Sequence, residues 1–222
     1  MKKINIPDHE KHSFPCLAPK GEQAFSLYQK TGAPGETKIT GDHRIVITGS
    51  VQSGKSSLAW NLMEKFQELS IPMAGFIAKG LWQDNKRYGF NLLELKTGIM
   101  TPLATRNSSD NSSSPGKIPY TFFKQGIDAG YAALLPENCA QAKVIMVDEM
   151  GRMEVQGEGW APCITPLMTL KNVIHIWIIR KTLVSPICQL WPFQKNDIIH
   201  VHDDGALEKL LALCSTILPQ EV

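Results

Sequence analysis

Short apolar runs alternate with amphipathic segments along the chain from Arg44 onward. Several runs are rich in β-branched residues, and the run at 144–147 has no polar alternation, which favours a central strand covered on both faces. The predicted strands cover residues 45–47, 73–79, 90–95, 144–147 and 173–179. Helical spacing of apolar residues predicts helices at 55–69 and 124–135, and a last helix with Asp203 or Asp204 as its N-cap. Strands that alternate with helices predict an α/β fold with a mainly parallel sheet flanked by helices.

Three segments depart from this alternation. Residues 1–42 contain four prolines and a glycine cluster but few apolar residues, which predicts an extended or partly disordered N-terminal arm before one folded domain at 43–222. Residues 107–114 are mostly Ser and Asn and predict a flexible loop. Residues 84–86 are turn-forming and lie between two predicted strands, which indicates a β-hairpin.

Composition and charge narrow the possible functions. Lys and Arg number 23 against 21 Asp and Glu, so the formal net charge is only +2. Such a balance gives no electrostatic case for binding nucleic acid or a membrane surface. The first twelve residues lack the apolar core of a secretory leader, and no apolar run is long enough to span a bilayer. We therefore expect a cytoplasmic protein, in which the five scattered cysteines are reduced thiols.

The first predicted strand leads directly into a phosphate-binding pattern. Residues 49–56 read GSVQSGKS, which matches G-x-x-x-x-G-K-[ST] between a strand and a helix. Glycines let successive backbone N–H groups point at phosphate oxygens, and the N-terminus of the following helix favours an anion. Lys55 would contact the β- and γ-phosphates, and the Ser56 hydroxyl would ligate Mg²⁺. The predicted nucleotide-binding residues are Gly49, Ser50, Val51, Gln52, Ser53, Gly54, Lys55, Ser56 and Ser57.

An acidic pair follows the predicted strand at 144–147. Residues just past the carboxyl ends of parallel strands face the ligand crevice of such a sheet. Asp148 could hold the magnesium ion through water, and Glu149 would face a different direction and deprotonate a water that attacks the γ-phosphate. On its own the pair would be read as a solvated turn or a helix cap. Together with the loop at 49–56, it predicts a catalytic site.

Arginine is scarce in this chain, and a guanidinium can stabilise charge on a transferring phosphoryl group. Arg180 ends the predicted strand at 173–179 on the presumed ligand side, so it is the first candidate for this catalytic role. Arg152 and Arg87 rank after it, and each of the three could instead form a surface ion pair. The five tryptophans are interpreted as core or partly buried residues rather than as stacking partners of a base.

The motifs also occur in a familiar order. The chain reads ITGSVQSGKSS at 47–57, then AGFIAKG and KRYGFNLLEL at 74–95, VIMVDEMGRME at 144–154 and IIRKTLVSPI at 178–187. This order resembles the cancer-related nucleoside-triphosphatase family, over about residues 45–187. The string DEMGRME is more specific than the phosphate-binding loop alone.

The resemblance implies a RecA-like P-loop fold with a β-hairpin insertion. It also implies Mg²⁺-dependent hydrolysis of nucleoside triphosphates, including ATP and GTP, to diphosphate and phosphate. By motif match, Lys55 and Ser56 would be phosphate and magnesium residues, Asp148 and Glu149 the acidic pair, and Arg180 the arginine after a late strand. The family loop usually has an additional glycine and Thr-Thr, where this chain has Ser56-Ser57.

Two other functions remain open from the sequence. A nucleotide or small-molecule kinase would need a lid-like cluster of cations, which the arginine positions do not form. A nucleotide-gated adaptor with slow hydrolysis would give the N-terminal arm a role in binding a protein partner. We expect a nucleotide substrate and Mg²⁺ in each case, without nucleic acid or membrane.

Overall fold

The aliphatic and β-branched runs form the strands of one eight-stranded sheet in the computed structural model, which describes residues 41–107 and 120–218. The strands are β1 (Gly41–Gly49), β2 (Met73–Gln83), β3 (Lys86–Glu94), β4 (Met100–Arg106), β5 (Tyr120–Phe122), β6 (Val144–Met150), β7 (Ile174–Arg180) and β8 (Phe193–His200). Their order across the sheet is β5-β4-β3-β2-β6-β7-β1-β8. Residues 1–40 of the arm predicted at 1–42, and residues 108–114 of the predicted serine-rich loop, lie outside the described residues, whereas Gly41 and Asp42 begin β1 and therefore belong to the sheet.

Five neighbouring strands, from β2 to β8 in this order, are parallel, whereas β3, β4 and β5 are antiparallel additions at one edge. The helices are α1 (Lys55–Glu68), α2 (Lys124–Ala133), α3 (Pro136–Cys139), α4 (Arg152–Val155), α5 (Ala161–Leu167), α6 (Val184–Leu190) and α7 (Ala206–Ile217). A 3₁₀ turn at Lys181–Leu183 precedes α6. The predicted α/β class with a mainly parallel sheet is therefore confirmed.

Strand β1 shows how the sheet divides the core into two layers. Ile45 and Ile47 pack with the apolar faces of α1 and α7, whereas Val46 packs on the other side with Trp177 and Ile164. Successive side chains of a strand point to opposite faces, so a continuous apolar run buries both of its faces in a covered sheet. The core thus holds β1 in place directly before the loop that carries the phosphate-binding pattern.

The β2–β3 hairpin extends past the central sheet. Strand β2 pairs with β6 over Met73–Phe76 and then continues to Gln83 paired with β3. Asp84 and Asn85 both have positive φ, at 48° and 57°, as a two-residue hairpin turn of the favoured type requires. The hairpin predicted around residues 84–86 is confirmed. Its turn lies beyond Phe76, the last residue of β2 that pairs with β6.

The structure corrects several details of the sequence interpretation. Strands β4, β5 and β8 were not predicted, and β8 is an edge strand whose polar residues, such as Lys195 and Asn196, conceal its period. The N-cap of α7 is Gly205, at φ 65°, not Asp203 or Asp204. The Asp203 carboxylate instead accepts a hydrogen bond from the His200 backbone N–H (3.1 Å), inside the preceding turn.

Two further observations concern the described part of the chain. No helix within it is both long and apolar enough to cross a membrane. The four described cysteines, Cys139, Cys163, Cys188 and Cys214, are free thiols.

Candidate active site

The loop between β1 and α1 ends in a glycine with a left-handed conformation. Gly54, at the N-cap of α1, has φ 91°, a left-handed conformation that glycine adopts without steric cost. No side chain caps the helix, so the first N–H groups of α1 have no side-chain partner there. Lys55 Nζ donates a hydrogen bond to the Ser50 carbonyl (2.6 Å), as does Ser53 Oγ (2.9 Å). The Lys55 side chain therefore packs against the loop that precedes it.

A cavity of about 410 Å³ opens beside this loop. Its lining includes Val51, Gln52, Ser53, Gly54, Lys55, Ser56 and Ser57 from the loop and α1, Asp148, Glu149 and Gly151 from β6 and the turn after it, Arg180 from β7, and Lys79, Trp82 and Arg87 from the hairpin. Gly49 and Ser50 belong to the loop but do not line the cavity. The structure thus brings all five residues given catalytic or metal-binding roles by sequence, Lys55, Ser56, Asp148, Glu149 and Arg180, into one pocket.

A β-bulge in β6 explains how two consecutive acidic residues reach the same pocket. Val147 pairs with Trp177 and Met150 pairs with Ile179, so Asp148 and Glu149 together oppose a single residue of β7. Side chains alternate between faces in a regular strand, and a bulge changes that alternation. Glu149 has φ 57°, which is uncommon for a residue with a side chain and is compatible with the local kink of the bulge. The sequence interpretation had the strand ending before the pair, whereas both residues lie within β6, and both line the pocket.

Asp148 is fully buried, at 0% exposure. Its carboxylate accepts hydrogen bonds from the backbone N–H groups of Ala78 (3.1 Å) and Glu149 (2.7 Å), and from the Ser56 hydroxyl. Burial, and then the nearby Glu149 charge, raise the pKa of Asp148 to about 7, against the effect of these three donors. The carboxylate is therefore held rigidly beside Ser56, at the start of α1.

The charges of Arg180 and Arg87 act on Lys55 in the pocket. Burial lowers the pKa of Lys55, and the positive charges of Arg180 and Arg87 lower it further, while Glu149 and Asp148 oppose the shift. Like charges close together repel each other. A bound polyanion would therefore reduce the repulsion among these cationic groups.

The structure separates the three arginine candidates. Arg180 and Arg87 line the pocket, whereas Arg152 begins α4, is exposed and does not line it. Arg87 was ranked below Arg180 because the sequence gave no sign of where the hairpin would place it. Its Nη1 lies 4.0 Å from Glu149 Oε1.

The hairpin and α1 also contribute residues that sequence reasoning did not assign to the site. Trp60, Lys79 and Trp82 line the pocket, and Lys79 Nζ lies 4.3 Å from the centre of the Trp60 ring. Trp160, Trp177 and Trp191 are buried as predicted, but Trp82 is 50% exposed. The sequence signal that could have identified Lys79 and Trp82 as neighbours is the turn at residues 84–86, which folds both strands of the hairpin together.

The turn after the acidic pair is held by Glu154. Its buried carboxylate accepts hydrogen bonds from the backbone N–H groups of Gly151 (2.6 Å) and Trp160 (3.0 Å). Burial raises the pKa of Glu154, while these two donors oppose the shift. Glu154 therefore stabilises the segment that follows Glu149 without facing the pocket itself.

Comparison with known proteins places these features in a family. The family profile NTPase_1, described as NTPase, matches residues 44–205. Over 111 residues the chain is 35% identical to "Nucleoside-triphosphatase THEP1" from Methanocaldococcus jannaschii, an alignment that covers 50% of this chain and 63% of that protein. It is 22% identical to "Cancer-related nucleoside-triphosphatase homolog" from Mus musculus, with 71% of this chain and 85% of the relative covered. The match thus spans less than two thirds of the archaeal protein.

A solved structure supports the fold. The solution structure of a human cancer-related nucleoside triphosphatase superposes with a TM-score of 0.58 at 19% identity, over 79% of this chain and 97% of that one. This likeness confirms the P-loop α/β architecture that the motifs predicted. Because the family profile covers well over half of the sequence, this chain belongs to the NTPase family, as the resemblance in its motifs implied.

Proposed function

We propose that this protein is a Mg²⁺-dependent nucleoside-triphosphatase that hydrolyses nucleoside triphosphates to diphosphate and phosphate. The observation that carries the proposal is the convergence of Lys55, two arginines and the bulged acidic pair on one pocket beside an uncapped helix N-terminus. The names of the relatives agree with this activity. Phosphoryl transfer to water depends mainly on positioning and charge stabilisation, which such a pocket can supply.

The donor chemistry at the start of α1 fits magnesium. Mg²⁺ prefers oxygen ligands, keeps several waters and takes one or two protein ligands plus phosphate oxygens. Ser56 supplies a hydroxyl and Asp148 a carboxylate, already joined by a hydrogen bond. Within the described residues no cluster of three or more His, Cys, Asp or Glu side chains could hold a metal alone, which agrees with an ion held largely by the substrate. When bound, the ion would neutralise charge on the phosphates.

The remaining residues would carry out the reaction as follows. The loop N–H groups and Lys55 would hold the β- and γ-phosphates, and Glu149 would orient a water molecule. The water oxygen bonds to the γ-phosphorus as the bond to the β-bridging oxygen breaks, and the water proton passes to the Glu149 carboxylate and then to phosphate. Arg180, at the end of β7, would stabilise the charge on the γ-phosphoryl group as it is transferred to water. Nucleoside diphosphate and phosphate are the products.

The test is phosphate release from ATP, GTP, CTP and UTP, each with and without Mg²⁺. Lys55→Ala should abolish nucleotide binding, because the loop loses its cation. The matched control is Lys65→Ala, an exposed lysine at the far end of α1 that pairs with Glu68 and should behave as wild type. Absence of phosphate release from every nucleotide in the presence of Mg²⁺ would reject the proposal.

Glu149→Gln separates binding from chemistry. It should keep nucleotide binding and reduce the rate of hydrolysis by 10²-fold or more, on the order expected for loss of a general base. Glu68→Gln, on the exposed side of α1, is the control. Full activity in Glu149→Gln would reject the role of this residue. A phosphorylated acceptor formed from labelled ATP and a nucleoside would instead favour the kinase.

A further inference from the structure

Arg87 is held between two aromatic rings at the wall of the pocket. Its guanidinium carbon lies 4.9 Å from the ring centre of Trp82 and 4.9 Å from that of Phe90. The side chain is only 18% exposed. Planar guanidinium groups stack well on aromatic faces, which fixes the plane of the group while leaving its N–H donors available.

The donors of Arg87 are incompletely used. Among the described residues its Nε is buried and has no hydrogen-bond partner. Within the described part of the chain its charged partner is Glu149, whose side chain is 42% exposed. The 4.0 Å distance between Arg87 Nη1 and Glu149 Oε1 is too long for a hydrogen bond. A buried donor without a partner is unfavourable, so the group is better satisfied when an acceptor enters the pocket.

The hairpin backbone is shaped to admit this side chain. A Cβ atom at Gly80 would lie 3.0 Å from Arg87 Nε and 3.1 Å from Trp82 Nε1. Both distances are tighter than ordinary contacts, so the absence of a side chain at Gly80 gives the guanidinium its place. The same pocket holds Lys55 and Arg180, whose charges are close enough to act on one another.

We propose that Arg87, which faces Glu149 in this structure, is a second phosphoryl-stabilising arginine that directs its donors to the γ-phosphate when a nucleoside triphosphate binds. This inference rests on the proposed function. The transfer has two consequences. It places a planar bidentate donor on the oxygens where charge develops, and it moves a positive charge away from the Glu149 carboxylate that accepts the proton of the attacking water. The bonds made and broken are those of the hydrolysis described above.

Single-turnover hydrolysis of ATP with Mg²⁺ tests the role of Arg87. Arg87→Ala should lower the rate of the chemical step on the order of 10³-fold, the loss expected for a catalytic arginine, with the nucleotide Kd changed less than about threefold. Arg87→Lys should lose most of the rate as well, because lysine lacks the planar fork. Arg106→Ala, an exposed arginine at the end of β4, is the matched control and should keep the wild-type rate.

Gly80→Ala tests the place of the guanidinium independently of its charge. The added methyl group pushes the Arg87 guanidinium by a few tenths of an ångström while all charged groups remain, so the rate should fall with the nucleotide Kd unchanged. A rise in Kd together with a fall in rate would indicate a merely structural effect and would count against the proposal.

A transition-state mimic gives a readout that does not depend on turnover. Nucleoside diphosphate, Mg²⁺ and aluminium fluoride together imitate the planar phosphoryl group. Wild type should trap the fluoride complex, and Arg87→Ala should bind the diphosphate but fail to trap it. Wild-type hydrolysis with an equal rate and equal trapping in Arg87→Ala would overturn the inference alone. Absence of hydrolysis and of trapping in the wild type would overturn the proposed function with it.

Discussion

Two arginines of this protein are each held against two aromatic rings, and they serve opposite purposes. Arg44, in β1, lies 4.5 Å from the Trp177 ring centre and 4.7 Å from that of Phe193, much as Arg87 lies between Trp82 and Phe90. Arg44 is fully buried and donates from Nη1 to the Trp191 carbonyl (2.8 Å). Burial lowers its pKa, and no carboxylate partner appears among the described residues around it. Such an aromatic clamp, meaning an arginine held against two aromatic rings, therefore does not by itself identify a functional arginine.

What distinguishes the two is where the unused donors point. Among the residues that the structure describes, Arg44 Nε and Nη2 have no hydrogen-bond partner in the core, and the same holds for the ring nitrogens of the buried His175 beside them. Arg87 points its guanidinium into a pocket that also holds Glu149. We expect the core arginine to act on stability through its ring contacts and its hydrogen bond to the Trp191 carbonyl, and the pocket arginine to be available for a ligand. Predictions that separate stability from catalysis test this distinction.

The largest difference is expected from truncating each arginine to alanine. Arg44→Ala should lower the free energy of unfolding by about 3 kcal/mol or more, because it leaves a cavity and an unpaired carbonyl in the core. Arg87→Ala should cost less than about 1 kcal/mol, because it removes a partly exposed stacking contact at the rim of a pocket. Urea unfolding followed by circular dichroism measures both values. Equal losses of stability would contradict the division between the two clamps.

The next largest effect is the pH dependence that His175 gives to the core. Burial and the neighbouring Arg44 charge lower the pKa of His175 to about 3, against a smaller opposing effect of Asp42. Between pH 6.5 and 3 the unfolded chain therefore binds a proton that the folded protein excludes, so the free energy of unfolding falls as the pH falls. From pH 7 to pH 5 the loss from this residue should be about 2 kcal/mol.

His175→Phe supplies the control for that experiment. It preserves an aromatic ring next to Trp177 and Phe193 but cannot titrate. Its unfolding free energy, measured in urea at pH 7, 6 and 5, should be flatter with pH than that of the wild type. Parallel pH profiles for the two proteins would show that His175 is not the group responsible.

The same comparison shows what a sequence can reveal. The loop at 49–56 and the helix after it were predicted because the residues that form them are adjacent, and their chemistry requires only local geometry. The acidic pair was found for the same reason. The bulge that turns Glu149 into the pocket depends on pairing with β7, a strand that begins some 25 residues later, so it could not be read from residues 144–150.

The arginines illustrate the limit more sharply. Nothing in the sequence around Arg44 or Arg87 states which aromatic residues will face them, since Trp177 and Phe193 reach Arg44 from other strands. Arg87 was ranked low because its position depends on how far β2 and β3 extend past β6. Sheet order had the same effect: β7 lies between β1 and β6, so the loop and the acids are brought together across an intervening strand.

The smallest expected effect concerns one ring of the catalytic clamp. Trp82→Leu removes the more exposed of the two rings against Arg87 and leaves Phe90 in place. A cation–π contact at a partly exposed site contributes about 0.5–1 kcal/mol, so the rate of the chemical step should fall about two- to fivefold. The melting temperature should change little, because the Trp82 ring is half exposed.

Trp82→Phe distinguishes loss of the ring from loss of bulk. Phenylalanine retains a face on which the guanidinium can stack, so it should keep most of the wild-type rate, whereas methionine, which fills space but has no ring, should not. Rate constants from single-turnover hydrolysis and melting curves on the same samples separate the two possibilities. Trp82→Leu could instead lower the melting temperature as strongly as Arg44→Ala while the rate stays at the wild-type value. In that case the contact between Trp82 and Arg87 would serve stability alone, and it would not support the proposed catalytic role of Arg87.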